Sequence, residues 1–383
     1  MKKNYLLLCF IAIVSAAGVF VSCNRDEDED EYLPVSPVVL DITQVPYAKL
    51  SDYHFFDEGE LKELKPSYKV LPYKPASELF TDYAHKKRFV WMPNGVKATF
   101  NGNDNTLEFP VGAVLVKNFY YDDVLPNHET KIIETRIMIK KREAVQDPQG
   151  NTTDSGWEPY VYIWNDEQTE AFLDTELQGS FIPLSFMHNG QQKDAYYKIP
   201  ADTECRTCHK LNPNGVLNGE VVVPIGTKPQ NLNYTYNYGT SQRNQLEKWV
   251  AEGYLDANIP ASIVSTVDYN DTSKSLEMRA RSYIDINCAH CHRAGGHCAY
   301  VDVRFNFSNT DPQVGGICMT PLFNVENLPY IMSAGDAANS ELIYRINSTD
   351  GSVMMPYIGR SIVHEEGVQL MSDWINSMQN HCE

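Results

Sequence analysis

The sequence predicts an α+β, multidomain chain. A β-rich, sandwich-like N-terminal domain is followed by two small, mostly α-helical modules. Three observations predict this. Residues 33–199 are crowded with short β-branched and aromatic runs separated by turn residues. Near Pro200 the character changes to short amphipathic segments joined by long loops. Beyond Pro200 the arrangement Cys-x-x-Cys-His occurs twice.

The first residues are read before any fold argument. Lys2 and Lys3 form a charged start, Tyr5 to Val21 is an apolar run, and Ser22 precedes Cys23. This pattern resembles a bacterial lipoprotein signal over 1–22, cut just before a cysteine that receives lipid. Phe20 stands where such signals usually carry Leu. The competing reading, a plain membrane anchor, wants a longer run. An acidic tether follows over 23–32, with six acids from Asp26 to Glu31. An acidic run after the lipid cysteine resembles the surface-export signal of Bacteroidota lipoproteins. The expected location is therefore the outer membrane, facing the periplasm or the cell surface. The formal charge of −18 argues against nucleic acid as a partner.

In the β-rich domain, "KATFNGNDNTLEFPVGAVLVKNFYY" is broken by Asn-Gly and Pro-Val-Gly. "KIIETRIMIKK" alternates with a period of two, and "GWEPYVYIWND" is aromatic and β-branched. "AVQDPQGNTTDSGW" reads as an exposed hairpin excursion. Strands this short, with turn signals between them, suit an antiparallel sheet or sandwich.

The first module spans 200–258. "ADTECRTCHK" starts with Asp202 as a helix cap and stops at "NPNG". "TSQRNQLEKWVAEG" puts Leu246, Trp249 and Val250 on one face. The second module spans 259–383. "SKSLEMRARSYIDINCAHCHRAGG" carries Leu276, Ala280, Tyr283, Ile284, Cys288 and Cys291 at helical spacing, ended by Gly295 and Gly296. "EEGVQLMSDWINSM" places Val368, Met371, Trp374, Ile375 and Met378 on a stripe.

A helix brings positions i, i+3 and i+4 to one side. Cys205, Cys208 and His209 then point one way, as do Cys288, Cys291 and His292. Two thiols at this spacing can each add across one vinyl group of haem, and the next residue offers an imidazole to the iron. Cys-x-x-Cys-His is the haem c attachment signature for this reason. Nine cysteines and ten histidines in 383 residues make two chance copies a poor explanation. A zinc ribbon also uses Cys-x-x-Cys pairs, but about 15–20 residues apart, whereas these begin 83 apart, at 205 and 288. A thioredoxin-like pair expects a βαβ context. Two haem c groups per chain, in cytochrome c-like modules, are the expected cofactors.

The sixth iron position comes next. Met355 in "GSVMMPYIGR", before the last helix, is the candidate for the second haem, with Met354 behind it. Arg345 and Arg360 flank this loop and are candidates for a haem propionate. Between His209 and Leu246 there is no methionine or histidine. The first haem is then five-coordinate, uses Lys228, or takes a ligand from the sheet domain such as His188, Met187 or His85. His290 and His297 read as ordinary polar residues. Of the other cysteines, Cys9 leaves with the leader and Cys23 is lipidated. Cys298 and Cys318 form one candidate disulfide, which leaves Cys382; spacing alone does not fix the connectivity.

On these residues the chain is similar to a family of exported bacterial di-haem c-type cytochromes. The likeness is carried by "LSDYHFF", "ELFTDYAHKKRFVWMPNG", "YKIPADTECRTCH", "NQLEKWVAEG", "RARSYIDINCAHCHRAGG", "GDAANSELIYRI", "MMPYIGRSIVHEEGVQLMSDWI" and the cysteine in "GGIC". The resemblance implies haem attachment at both motifs and Met355 as the distal ligand of the second haem. It implies no enzyme activity. The expected function is electron transfer to a redox partner protein or a membrane electron-transfer chain. The alternative is a peroxidase-like or small-molecule oxidoreductase acting at an open first haem. A third reading is a binding lipoprotein whose sheet domain holds a glycan or partner.

Overall fold

Successive strand residues face opposite sides of a sheet, and the first half of the chain uses this to cover a sheet on both faces. The computed structural model describes residues 35–383, except 58, 60, 214, 216–218 and 380. The leader, Cys23 and the acidic run lie outside the described residues. Pro37–Glu383 form one compact unit.

The strands are β1 (Leu71–Tyr73), β2 (His85–Trp91), β3 (Val114–Val124), β4 (Glu129–Lys140), β5 (Val145–Gln146), β6 (Thr152–Asp154), β7 (Trp157–Trp164), β8 (Ala171–Leu173), β9 (Ser180–His188) and β10 (Gln191–Ile199). Eight of them make one antiparallel sheet in the order β1-β2-β3-β4-β7-β8, with the β9–β10 hairpin joined to β3 through Val124 and Phe186. The β-rich, antiparallel expectation is met, but by one sheet and not by two separately bonded layers. The hairpin supplies the overlap: Tyr121 packs on Phe186 with ring centroids 4.6 Å apart, and on Tyr197 at 6.0 Å. β5 and β6 pair as the expected excursion, with Val145 exposed.

One sheet face carries Val114, Val116, Ile137 and Ile139, buried under Leu50, Tyr53, Phe55 and Phe56. The other face carries Leu115 and Met138 and packs against the chain after Pro200. There lie α1 (Asp202–His209), β11 (Lys210–Leu211), β12 (Val221–Val222), α2 (Pro229–Leu232), β13 (Thr235–Asn237), β14 (Gln242–Asn244) and α3 (Gln245–Ala251). Asn244 caps α3 through its Oδ1, 2.9 Å from the Leu246 N–H. The residues before it, read as helix from the sequence, form β14 instead. Trp249 on α3 is fully buried and meets Tyr73 of β1 edge to face at 5.7 Å. Sheet and first-motif segment therefore share one core.

The rest of the chain builds its own core around α4 (Leu276–Ile284), α5 (Glu341–Ile346) and α6 (Glu365–Asn376). Ser275 caps α4, its Oγ accepting from the Met278 N–H at 3.3 Å. α4 does not run on as an α-helix through Cys288. It widens into a π-helical turn over Asp285–Ala289, a distortion that often marks functional sites. Among the described residues no helix is long and apolar enough to cross a membrane.

The disulfide expectation needs correction. Cys318 bonds to Cys382, with Cα atoms 5.3 Å apart, and Cys298 is a free thiol. The C-terminal tail returns to the loop before α5, where Ala334 O accepts from His381 Nδ1 at 3.1 Å. Cys298 instead packs beside Cys291.

Candidate functional site

Each motif is positioned by local backbone chemistry. Asp202 is not the cap of α1, as the sequence suggested; Ala201 holds that place, and Glu204 reaches back to the Ala201 N–H at 3.0 Å. α1 ends at His209, and the chain turns into β11, whose partner strand β12 leads to Val223. His209 Nδ1 donates to the Val223 carbonyl at 2.7 Å. That bond fixes the tautomer and leaves Nε2 as the free lone pair, as metal-binding histidines commonly require. In the second motif, Cys291 N–H and His292 N–H both turn back to Cys288 O, at 3.1 and 2.9 Å.

The two motifs meet. The Cys291 thiol donates toward Cys208, which holds Cys208 well below the ordinary thiol range and Cys291 above it. Asn212 N–H donates to Gly295 O at 2.7 Å. Gly295 has φ +72°, and a Cβ there would stand 2.3 Å from Asn212 O. Burial pushes the outer thiols up, Cys205 to about 11 and Cys288 to about 12.

Beside the second motif lies a cavity of about 420 Å³, lined by Cys208, Cys288, Cys291, His292, Met355 and Arg345 among others. His292 and Met355 are thus brought to one space, as the sequence suggested. Arg345 lines it too, with its Nε 2.6 Å from Glu341 Oε1. Arg360 does something else. It is buried, and its guanidinium donates to the carbonyls of Met355 at 2.9 Å and Ser348 at 2.7 Å. It holds the methionine loop and is not free for a propionate.

The first motif faces two smaller cavities of about 100 and 110 Å³. Both are lined by Leu79, Lys117, Arg136, Met138, His209 and Ile225. They adjoin along these six residues, in the cleft between α1 and the sheet. The sequence missed its sheet wall. Arg88, Lys117 and Arg136 are register neighbours on β2, β3 and β4, a row of three cations on a buried face. Arg88 pairs with Glu78 at 2.9 Å. Arg136 is held by Glu134 at 2.9 and 2.5 Å, and Tyr197 Oη donates to the same carboxylate. Burial, with Arg88 and Arg136 on either side, pushes the Lys117 ammonium well below its ordinary value.

The sequence candidates for the first sixth position lie elsewhere. Lys228 is tied to Asp104 at 2.7 Å and Asp285 at 3.4 Å. His188 stacks on Tyr83 at 4.2 Å and His85 on Tyr120 at 5.3 Å. Met187 faces Gln192 across the β9–β10 hairpin. None of the four lines the cavities beside His209. His290, read as a spacer, lines both the large cavity and the nearer small one, together with Cys208, Pro356 and Ile358. His297 stacks on Tyr357 at 5.9 Å.

The donor sets fit haem c. Each motif offers two unbonded thiols and a histidine at a cavity. Burial holds His209 and His292 down at about 4, so both rings are neutral and can give a lone pair. The Nδ1 atoms of His290 and His292 are buried without a partner, which is costly for the polypeptide alone. Among the described residues no group of three or more His, Cys, Asp or Glu is arranged to hold a metal ion. No family model, curated protein or solved structure matches the chain.

Proposed function

We propose that this chain is an exported di-haem c-type cytochrome that transfers electrons through two covalently held haems. The observation that carries the reading is the pairing of the two Cys-x-x-Cys-His motifs in space, Cys208 against Cys291, with cavities that share a wall. Haem iron at these sites would supply one-electron chemistry, alternating between ferric and ferrous states.

The chain's own residues have distinct tasks in this reading. Cys205, Cys208, Cys288 and Cys291 would hold the haems through thioether bonds, formed by adding S–H across the vinyl groups with no oxidant needed. His209 and His292 would give ring nitrogens to the irons, and Val223 O orients His209. Met355 would give its thioether sulfur to the iron at the second site, and Arg360 holds its loop. By the same proposal the modules are cytochrome c-like in role. Lipid at Cys23 tethers the protein to the outer membrane, on the periplasmic or cell-surface side, within reach of a redox partner protein or membrane chain. A second reading, a peroxidase-like or small-molecule oxidoreductase at an open first haem, draws on Arg88 and Arg136, which would stabilise a bound oxyanion.

The test is pyridine haemochrome quantitation on protein made in a cytochrome c maturation host. Two haems per chain are expected, one after Cys288→Ala with Cys291→Ala, and one after Cys205→Ala with Cys208→Ala. Met355→Ala should turn the second site high-spin. Zero haem in the unaltered protein would sink the reading. Two low-spin haems favour electron transfer, whereas a high-spin first haem favours the oxidoreductase.

A further inference from the structure

Lys117 has no task in either motif. It lies mid-strand in β3, on the face turned toward α1, and lines both cavities beside His209. Its neighbours in register are both arginines. They are already matched, Arg88 by Glu78 and Arg136 by Glu134. Among the described residues Lys117 has no hydrogen-bond or ion-pair partner; its Nζ lies over the Phe119 ring, 4.5 Å from the centroid. Two guanidiniums on adjacent strands disfavour a third cation between them. An amine can release its proton and offer a lone pair, and a guanidinium never does.

We propose that Lys117 Nζ is the sixth ligand of the iron held by His209. This deepens, and rests on, the di-haem reading. The amine loses its proton to solvent and gives its lone pair to the iron; no other bond changes. Lys117 lines both cavities beside His209, whereas His290 lines only the one that adjoins the large cavity. The arginines cannot coordinate, and Met138 is packed in the apolar cluster of Leu115 and Trp157. The residues named from sequence, Lys228, His188, His85 and Met187, do not line the cleft.

The experiment uses the full chain with both haems attached. Haem is counted by pyridine haemochrome, and spin state is read by electron paramagnetic resonance of the ferric protein. Unaltered protein should show two low-spin haems. Lys117→Leu should keep two haems and convert one of the two, half of the signal, to high-spin. The change removes an unpartnered, half-buried amine and should not unfold the sheet. Lys117→Met should return that half to low-spin with a methionine-type charge-transfer band. Met138→Leu should leave both low-spin. The inference is overturned if Lys117→Leu stays fully low-spin, if Met138→Leu turns one haem high-spin, or if the unaltered first haem is already high-spin. A count of zero overturns the di-haem reading itself, so the two failures are told apart.

Discussion

His364 lies face to face with Phe80, ring centroids 4.2 Å apart, and its Nδ1 is 3.1 Å from Tyr283 Oη. Burial holds its imidazolium down at about 4, with Glu366 pulling weakly the other way. The unfolded chain protonates this ring near pH 6.5 and the folded chain only near 4. Unfolded protein thus holds the extra proton between those values, and stability falls as pH drops through that window. One proton is worth about 1.4 kcal/mol per pH unit there. His364→Phe should flatten the slope of stability against pH from 6.5 to 4 by one proton, measured by denaturant melts at several pH values. An unchanged slope would show that the ring is not held neutral. At this scale the sequence was legible where chemistry is local. The motif cysteines and their histidines are set by spacing within a few residues and Met355 by its place in the loop before the last helix, and the structure places them at cavities. Lys117 was not legible, because its meaning needs the register of three strands at once.

Elements show where local reading stops. α3 and α6 bury Trp249 and Trp374 as their apolar periods require. Trp249 fills the space between β1 and the loop at Phe109, so Trp249→Ala should cost roughly 3–5 kcal/mol in a urea melt. A loss under 1 kcal/mol would mean that the helix is not part of the sheet's core. The π-helical turn that contains Cys288 was invisible, since periodicity alone does not reveal one extra residue in a turn. The contact between the motifs rests on Gly295. Gly295→Ala adds a Cβ 2.3 Å from Asn212 O at φ +72°. It should cost on the order of 1–3 kcal/mol and loosen the join of the two motifs. Equal denaturation midpoints for variant and parent would argue that the join carries no stability.

Among the described residues, distant parts of the chain are joined by the shared sheet and α3 core, the meeting of the motifs and the Cys318–Cys382 bond, among other contacts. The disulfide closes a loop with a sequence separation of 64. Removing both cysteines should lower stability by about 2–4 kcal/mol, with the loss seen equally on adding reductant to unaltered protein. No shift with reductant would mean that the bond does not form in solution. Neither this pairing nor the sheet's cover by the later chain could be read from sequence, because both join residues far apart in it. The wall common to the cavities, with Cys208 and His290 in it, has a further consequence. Were each cavity to hold a haem iron, as proposed, the two centres on either side of this shared wall would not be charged independently. An electron already resident on one repels the next, so the pair would fill in two steps across a span of potential. Such a protein would meter electrons singly to an acceptor and not discharge both at once.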